Sequence, residues 1–499
     1  MTVATVTQAY KYELDPTPSQ ARMFASHAGG ARFAYNWGIA TIIAALDARQ
    51  AEKDAGAEPT VPVPAHFELC KMWTVWKDTA EWTDRATGNV TDGVGWVGEN
   101  FVGTYQAALR DAAGAWKAFF ASRSGKRKGR RVGRPRFRSK GKARESFQVH
   151  GAVFRLAPGP SAKYPGTRRV RAHTPAPMAS YIMLPKIGPV RSHESTRKLR
   201  RRIDNGTARI VRGTVAKNAA GRWHIAITAE VQRDVRLKPS ARQLAGGIIG
   251  VDLGVRDTIT LSTGESVKNP AHLERSLRRL AAAQQTVARR TRIGRPSSAR
   301  RLKAVERVGR IHTRVSNLRQ DYLHNLSTRL IHEHAGIGVE GFDLQQVAAR
   351  GGRSVPRRVR QVRNRLLAGS ALGMFRWQLQ SKSAWYGCQV LVTGAQAPSG
   401  RTCSRCGTAK ATPIPPHLEL FRCPQCGHVQ DRRLNTALVL AQFARETKTT
   451  SGTGSESLNA RGEDVSPGPV RKGRTGRSSL KREARPRGQP SGKTGTPST

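Results

Sequence analysis

Residues 247–255 read Gly247-Ile248-Ile249-Gly250-Val251-Asp252-Leu253-Gly254-Val255. This is an apolar strand that runs into a carboxylate, Asp252, and then a turn. Thr258-Ile259-Thr260-Leu261 follows as a second strand. Further on, Ile337-Gly338-Val339-Glu340 is another short apolar strand that ends in an acid. A single acid at a strand end is usually a cap or a turn residue. Two of them, with a third acid, Asp431, opening a late helix, have a different meaning. Convergent carboxylates hold divalent ions that activate a water and stabilise the leaving oxygen in phosphodiester hydrolysis. Oxygen ligands with retained waters favour Mg2+.

Between the two strands lies a basic helical stretch. Residues 273–292 carry Leu277, Leu280 and Val287 among many Arg, and residues 299–334 place Val308, Ile311, Val315, Leu318, Tyr322 and Leu326 at helical spacing. Gly294 and Pro296 separate them, giving a helical hairpin with one apolar seam. After Glu340 the pattern predicts a helix over 360–386, a strand over 389–393 and a helix over 431–444. Strand, hairpin, helical insertion, strand and late helix, with acids at three ends, is the order of an RNase H-like nuclease.

Cys403-x-x-Cys406 and Cys423-x-x-Cys426 interrupt this order. Gly407 and Gly427 follow the pairs and suit tight turns. Four thiolates at this spacing close a tetrahedron around Zn2+, and a closed site is structural rather than catalytic. His417 and His428 are spare candidates. Cys70 and Cys388 are expected to be bystanders. Two C-x-x-C pairs in a chain with six cysteines read as metal in a reducing compartment, not as a disulfide framework.

The charge is as informative as the motifs. There are 499 residues, with 86 Lys plus Arg against 34 Asp plus Glu, a formal net charge of +52. The length suggests roughly two to four domains at ~100–200 residues each. The basic residues run through the whole chain, and a field of this size calls for a polyanion, nucleic acid first. Residues 123–144 alone hold twelve Lys or Arg. Arg127, Lys128, Arg130, Arg131, Arg134, Arg136, Phe137, Arg138 and Lys140 are the expected nucleic-acid contacts, with Phe137 and Phe147 either stacking on bases or anchoring the loop. No stretch reaches ~18 apolar residues, so no membrane helix is expected. The start lacks the pattern of a secretory signal. The expected location is the cytoplasm, on the nucleoid. The excess of Arg over Lys and the many Ala hint at a GC-rich bacterial genome.

The amino-terminal half begins with a strand over 5–14. Thr17-Pro18-Ser19-Gln20 then carries the signature of a capped helix start. A helix to about Arg49, a loop over 50–64 and aromatic-rich helices follow, their aromatics expected in the core. From 147 to 232 the pattern turns to strands, with a hairpin at Asn218-Ala219-Ala220-Gly221. The expected organisation is a β-domain over 1–240 with a helical insertion over about 17–146. A nuclease domain over 245–400, a zinc ribbon over 401–428, a last helix over 429–446 and a disordered basic tail over 447–499 complete it.

The chain resembles the TnpB/OrfB family of insertion-sequence proteins, which is related to the type V CRISPR effectors. The resemblance covers about residues 8–446. It is carried by Leu14-Asp15-Pro16-Thr17-Pro18-Ser19-Gln20, Ala31-Arg32-Phe33-Ala34-Tyr35-Asn36-Trp37 and Pro135-Arg136-Phe137-Arg138-Ser139-Lys140. Gly250-Val251-Asp252-Leu253-Gly254-Val255, Gly338-Val339-Glu340, Lys382-Ser383-Ala384-Trp385-Tyr386-Gly387, Pro398-Ser399, the cysteine pairs, Asp431 and Asn435 complete the set. The resemblance implies α/β, all-β and α parts. These are a RuvC-like (RNase H-like) nuclease domain with an inserted zinc ribbon, preceded by a β-barrel-like domain with a helical insertion. It also implies a guide RNA from the element's own transcript and a double-stranded DNA target beside a short motif. Such proteins are often called transposases, yet this chain shows no Tyr or Ser nucleophile motif of a strand-joining enzyme.

Two departures stand out. The family's closing run is Asp-Arg-Asp-x-Asn-Ala, or keeps only its later Asp. Here the run is Asp431-Arg432-Arg433-Leu434-Asn435-Thr436-Ala437, so Arg433 stands where the third ligand is expected. A shift of two residues to Asp431 turns direction by roughly 200° on a helix. The family's Glu-Asp-Leu is displaced here to Glu340-Gly341-Phe342-Asp343-Leu344. The leading expectation is an RNA-guided, Mg2+-dependent DNA endonuclease using Asp252, Glu340 and Asp431. The alternatives are a nuclease-deficient RNA-guided DNA binder, because of Arg433, and a nucleic-acid-binding accessory protein without a guide.

Overall fold

The computed structural model describes residues 2–83, 90–127, 129–158, 180–292, 294, 297–341, 356–394, 399–412, 414 and 418–450. Lys128, His417, the run Phe342-Asp343-Leu344 and nearly all of the expected tail lie outside the described residues. The chain divides into Met1–Lys448 and Thr449–Thr499, and the architecture below is that of the first unit.

In the amino-terminal half the elements are β1 (Thr2–Asp15), α1 (Pro18–Asp54), α2 (His66–Thr79), β2 (Glu81–Thr83), β3 (Val90–Asp92), α3 (Val102–Arg123), β4 (Ser146–His150), β5 (Arg155–Pro158), β6 (Ser180–Leu184), β7 (Gly188–Ser192), α4 (Arg197–Asp204), β8 (Ala208–Lys217) and β9 (Trp223–Val235). Seven strands form one antiparallel sheet in the order β4-β8-β9-β1-β7-β6-β5. Its two edge strands, β4 and β5, are joined by residues 151–154 alone, so the sheet bends round on itself. The helix start is built as its sequence predicts. Thr17 caps α1, its hydroxyl accepting from the Gln20 amide and its own amide donating to the Gln20 side chain. α1 runs on to Asp54, beyond the expected end near Arg49, because Ala, Arg, Gln and Lys there are all good helix formers. The hairpin at 218–221 closes with Gly221 at φ 80°.

Helices and sheet share one core. Phe24 of α1 meets Phe147 of β4 and Trp223 of β9 at centroid distances of 5.9 and 5.1 Å. The helical insertion therefore packs onto the sheet rather than standing apart. Phe147 is a core residue, which leaves only Phe137 of that pair on the surface.

The carboxy-terminal half contains α5 (Ala241–Gly246), β10 (Ile248–Leu253), β11 (Asp257–Leu261), β12 (Ser266–Lys268), α6 (His272–Arg289), α7 (Ala299–Glu333), β13 (Gly336–Val339), α8 (Arg357–Ser370), α9 (Leu372–Tyr386), β14 (Gln389–Val392), β15 (Leu420–Arg422), β16 (Val429–Asp431) and α10 (Arg432–Thr450). Its sheet has the order β12-β11-β10-β13-β14, with β10, β13 and β14 parallel and β11 antiparallel. Ile249, Val251, Ile337 and Val339 face a core shared with Leu323, Leu330, Phe375 and Leu379 of α7 and α9. Lys382 fastens those two helices. It is buried, and its Nζ donates to the His324 carbonyl and to the Ser327 and Thr328 hydroxyls, each at 2.7 Å.

Three sequence boundaries need correction. The helix expected over 360–386 is two helices, split at Ala371, whose φ is 51°. Gly369 and Ser370 are weak helix formers and end the first of them. The last helix begins at Arg432, because Asp431 is still paired in the β15–β16 hairpin. It continues past 446 to Thr450, with the Thr447 hydroxyl bonded to the Phe443 carbonyl one turn back.

Candidate active site and metal centre

β10 and β13 pair in parallel with Val251 opposite Val339. Asp252 and Glu340 come next on each strand, so they leave the sheet side by side. The face they use follows from their neighbours. A Cβ on Gly250 would run into the Ala437 carbonyl, and one on Gly338 into the Leu440 carbonyl. Both glycines therefore let α10 lie directly on the sheet. Side chains alternate along a strand, so Asp252 and Glu340 point to the same face as those glycines, toward the start of α10. Glu340 Oε1 accepts from the buried Ser399 hydroxyl at 2.9 Å. Ser399 was visible in the sequence only as part of a motif, and the contact gives it a task.

Burial pushes the Asp252 carboxyl up to about 7; the neighbouring Glu340 and Asp431 charges act the same way, while Arg433 and Arg432 pull it down. Among these, Arg433 is the strongest single charge. Its guanidinium rests against Gly254, where a Cβ would sit, and its Nη1 lies 3.4 Å from both the carbonyl and Oδ2 of Asp257. Asp431 is placed differently. It is exposed, and its Oδ1 accepts from the amides of Arg433 and Leu434, both at 2.9 Å. That is an N-cap on α10. The fold thus brings Asp252 and Glu340 together, sets Arg433 beside them and commits one oxygen of Asp431 to its own helix. Asp257, which holds the guanidinium, had no signal in the sequence. The pairing becomes visible only once β11 and the start of α10 are adjacent.

The cysteines form a tight group. Sγ atoms of Cys403 and Cys426 are 3.8 Å apart and those of Cys406 and Cys423 are 3.5 Å apart. All four lie within 4.8 Å of one another, and among the described residues this is the only such group of three or more His, Cys, Asp or Glu side chains. A tetrahedron of thiolates ~2.3 Å from a metal has edges of about 3.8 Å, so the four sulfurs are spaced to hold one. Cys403 and Cys423 are buried with Phe421, and Cys406 is at the surface. The buried Asn435 ties this lobe to α10: its Nδ2 donates to the Thr402 carbonyl at 2.7 Å and its Oδ1 accepts from the Ser404 amide at 2.9 Å. Asn435 is thus the joint between the cysteine cluster and the helix that faces the carboxylates.

The basic segment is anchored at one residue. Asn36 brackets Arg138 with two backbone hydrogen bonds of 2.7 and 2.8 Å. The Arg138 guanidinium lies 3.6 Å over the Tyr35 ring and 3.8 Å from Asp111, so it is turned inward. Arg134 sits over Trp116 at 5.5 Å. Arg127, Arg130, Arg131, Arg136 and Lys140 are exposed and make no ion pair with a described residue, and Phe137 beside them is 59% exposed. No described helix is long and apolar enough to cross a membrane.

Comparison with known proteins bears on the whole chain. Residues 226–350 match the OrfB family described as "Probable transposase", residues 1–51 match "Helix-turn-helix domain" and residues 373–440 match "Cas12f1-like, TNB domain". In the structure, residues 2–51 are β1 and most of α1, a strand and one uninterrupted helix. A Mycobacterium tuberculosis protein named "Putative RNA-guided DNA endonuclease Rv2885c" is 30% identical over 493 residues, covering 97% of this chain and 95% of its own. "Putative RNA-guided DNA endonuclease InsQ" of Escherichia coli is 25% identical, covering 92% and 93%. Among solved structures, one titled "Structure of the mini-RNA-guided endonuclease CRISPR-Cas_phi3" covers 88% of this chain and 92% of its own at 9% identity. Its TM-score of 0.42 is too low to equate the arrangement of the parts. The extent and identity of the sequence match are decisive: the chain belongs to the TnpB/OrfB family.

Proposed function

We propose that this protein is an RNA-guided DNA endonuclease that hydrolyses phosphodiester bonds at Asp252 and Glu340. The observation that carries the reading is the register of β10 on β13, which sets these two carboxylates side by side facing α10. The strand order β12-β11-β10-β13-β14, with one antiparallel member, supports a RuvC-like (RNase H-like) sheet. The relatives' names supply the guide RNA and the DNA. A net charge of +52 suits a protein that holds both polyanions.

Two cofactors follow from the donor sets. The four thiolates fit Zn2+ in a closed structural site. Asp252 and Glu340 fit a hard divalent cation such as Mg2+, which when bound supplies the water activation and charge stabilisation of such hydrolysis. A second cation on three carboxylates does not fit, because Arg433 stands in the third place and is held there by Asp257. The chain's own residues do the rest. Ser399 fixes one oxygen of Glu340. Arg433 offsets part of the carboxylates' charge. Asp431 fixes the helix that carries Arg433, and this capping task takes the place of a metal-ligand role for it. The exposed arginines and Lys140 at 127–140 hold phosphates, with Phe137 available to a base. The guide comes from the element's own transcript, the target is double-stranded DNA, and the site of action is the bacterial nucleoid in the cytoplasm.

Silent occupancy of DNA is the second reading. Only Arg433 speaks for it, whereas the relatives that span the whole chain are named endonucleases. The test is to sequence the RNA that copurifies with the protein and then replace its guide segment. Cleavage that moves to the new matching DNA supports the proposal. Purification without a defined RNA, or cleavage that ignores the replacement, overturns it.

A further inference from the structure

An open cleft of about 920 Å³ lies between the end of α3, the start of α2 and the middle of α1. This is within the ~300–1,000 Å³ range of ligand pockets. Aromatic rings form its walls. Trp116 and Phe120 stack with centroids 5.5 Å apart and planes 28° apart, and Phe67 of α2 also lines the cleft. Phe67 is 74% exposed and Phe120 is 39% exposed. Side chains of this size are normally covered, and exposed apolar surface on a concave site marks a place where something binds. The rim is cationic. Lys117, Arg123 and Lys126 line it and make no ion pair with a described residue. The exposed Arg127, Arg130, Arg131 and Arg136 follow closely in the chain.

We propose that this cleft takes unpaired bases of the bound RNA, stacked on Phe67 and Phe120, with the flanking phosphates on Lys117, Arg123 and Lys126. The chemistry selects the ligand in three steps. Apolar walls inside a cationic rim match a flat ring on a phosphate backbone and mismatch an apolar peptide. Within a duplex the base faces are hidden in the stack, so only a single-stranded stretch can use the walls. The inference rests on the RNA-binding part of the function proposed above: RNA is the polyanion present before any DNA is met, and so the one that keeps Phe67 and Phe120 covered in the resting complex.

Two measurements test it. The complex is purified from cells fed 4-thiouridine, irradiated, and its RNA-linked peptides identified. Adducts are expected on the peptides holding Phe67 or Trp116 to Phe120, and they should be lost in Phe67→Ala, a change at an exposed residue that leaves the fold intact. The free protein is then titrated with a short fluorescent oligouridylate and with an RNA duplex over a range of salt. Phe67→Ala should weaken the single strand roughly tenfold, the worth of one stacked base, with the salt slope unchanged and the duplex unaffected. Lys117→Ala should instead lower the slope by about 0.7, since a phosphate contact releases counterions and a stack does not. RNA adducts confined to other segments, adducts to DNA alone, or equal losses on duplex and single strand would overturn the proposal. So would a self-association, seen by light scattering, that Phe67→Ala abolishes. If no defined RNA copurifies, the guided-nuclease reading fails by itself, while the oligouridylate titration still reports on the cleft.

Discussion

The cysteine cluster and the carboxylate site are joined through Asn435, yet they were legible in the sequence to very different degrees. Each C-x-x-C pair makes its own tight turn, so the ligand geometry is set within a few residues. The β15–β16 hairpin then presents Cys423 and Cys426 at its turn, and Asn435 holds the Thr402–Ser404 backbone against the helix that follows the hairpin. The carboxylate site is assembled from β10, β13 and the start of α10, far apart in the chain. Its sequence names the residues but not where the side chains go. Asp431 looked like a displaced ligand, and the fold gives it the helix cap. Arg433 looked like an intruder, and the fold gives it a partner in Asp257. A site set by local spacing survives translation from sequence to structure; one set by tertiary register can be reassigned residue by residue.

The largest effect is expected at the cysteines. Binding of a structural Zn2+ is worth ~10–16 kcal/mol in small zinc domains, and that energy is folding energy. Cys403→Ser should release the metal, expose the segment from 401 to 431 to protease and loosen α10, as read by metal analysis and limited proteolysis. An intact, protease-resistant lobe without metal would show that packing around Phe421 suffices. Next comes Glu340→Gln. It should lower the cleavage rate on the order of 10³-fold, several kcal/mol of barrier, while DNA binding stays within about twofold. A smaller change is expected from Arg433→Ala. Removing a positive charge beside the cation site, screened by solvent to a near-aqueous dielectric, should lower the Mg2+ concentration for half-maximal cleavage about tenfold. An unchanged Mg2+ requirement would mean that Asp257 already neutralises the guanidinium.

The smallest effect concerns Lys382. Burial lowers its ammonium to about 8 from the ordinary 10.5. Between these values the unfolded chain binds the proton that the folded one has released, so stability rises with pH through this window and the cost is fully present below about 8. Thermal unfolding should show a rise of ~2 °C from pH 8 to 10 that is missing in Lys382→Met. A rise of equal size in the variant would assign it to other groups.

Much of the fold was readable because periodicity and capping are local. The box at Thr17 and Gln20 and the hairpin at Gly221 stand where the sequence puts them, whereas the expected seam of α7 is buried only at Val315 and Leu326, Leu318 is exposed, and the buried face runs on through Leu323, Leu330 and Ile331. Ends of elements were less readable, since tertiary contacts decide them. Asp431 pairs in a hairpin before it caps a helix, and α10 outruns the expected boundary. Arg138 stood among nine expected nucleic-acid contacts, yet Tyr35 and Asp111 draw it inward. Nothing in a run of basic residues distinguishes those, Arg134 and Arg138, that meet an aromatic ring on a distant helix.

The most direct measurement is plasmid cleavage. The protein is expressed with its native flanking DNA, purified with its RNA and given a matched target with Mg2+, beside an Asp252→Ala control. Cutting by the wild type alone is the predicted result, and it would show that two carboxylates with Arg433 between β11 and α10 make a working site. An intact plasmid that still binds the guided complex, or cutting that persists in Asp252→Ala, would contradict it.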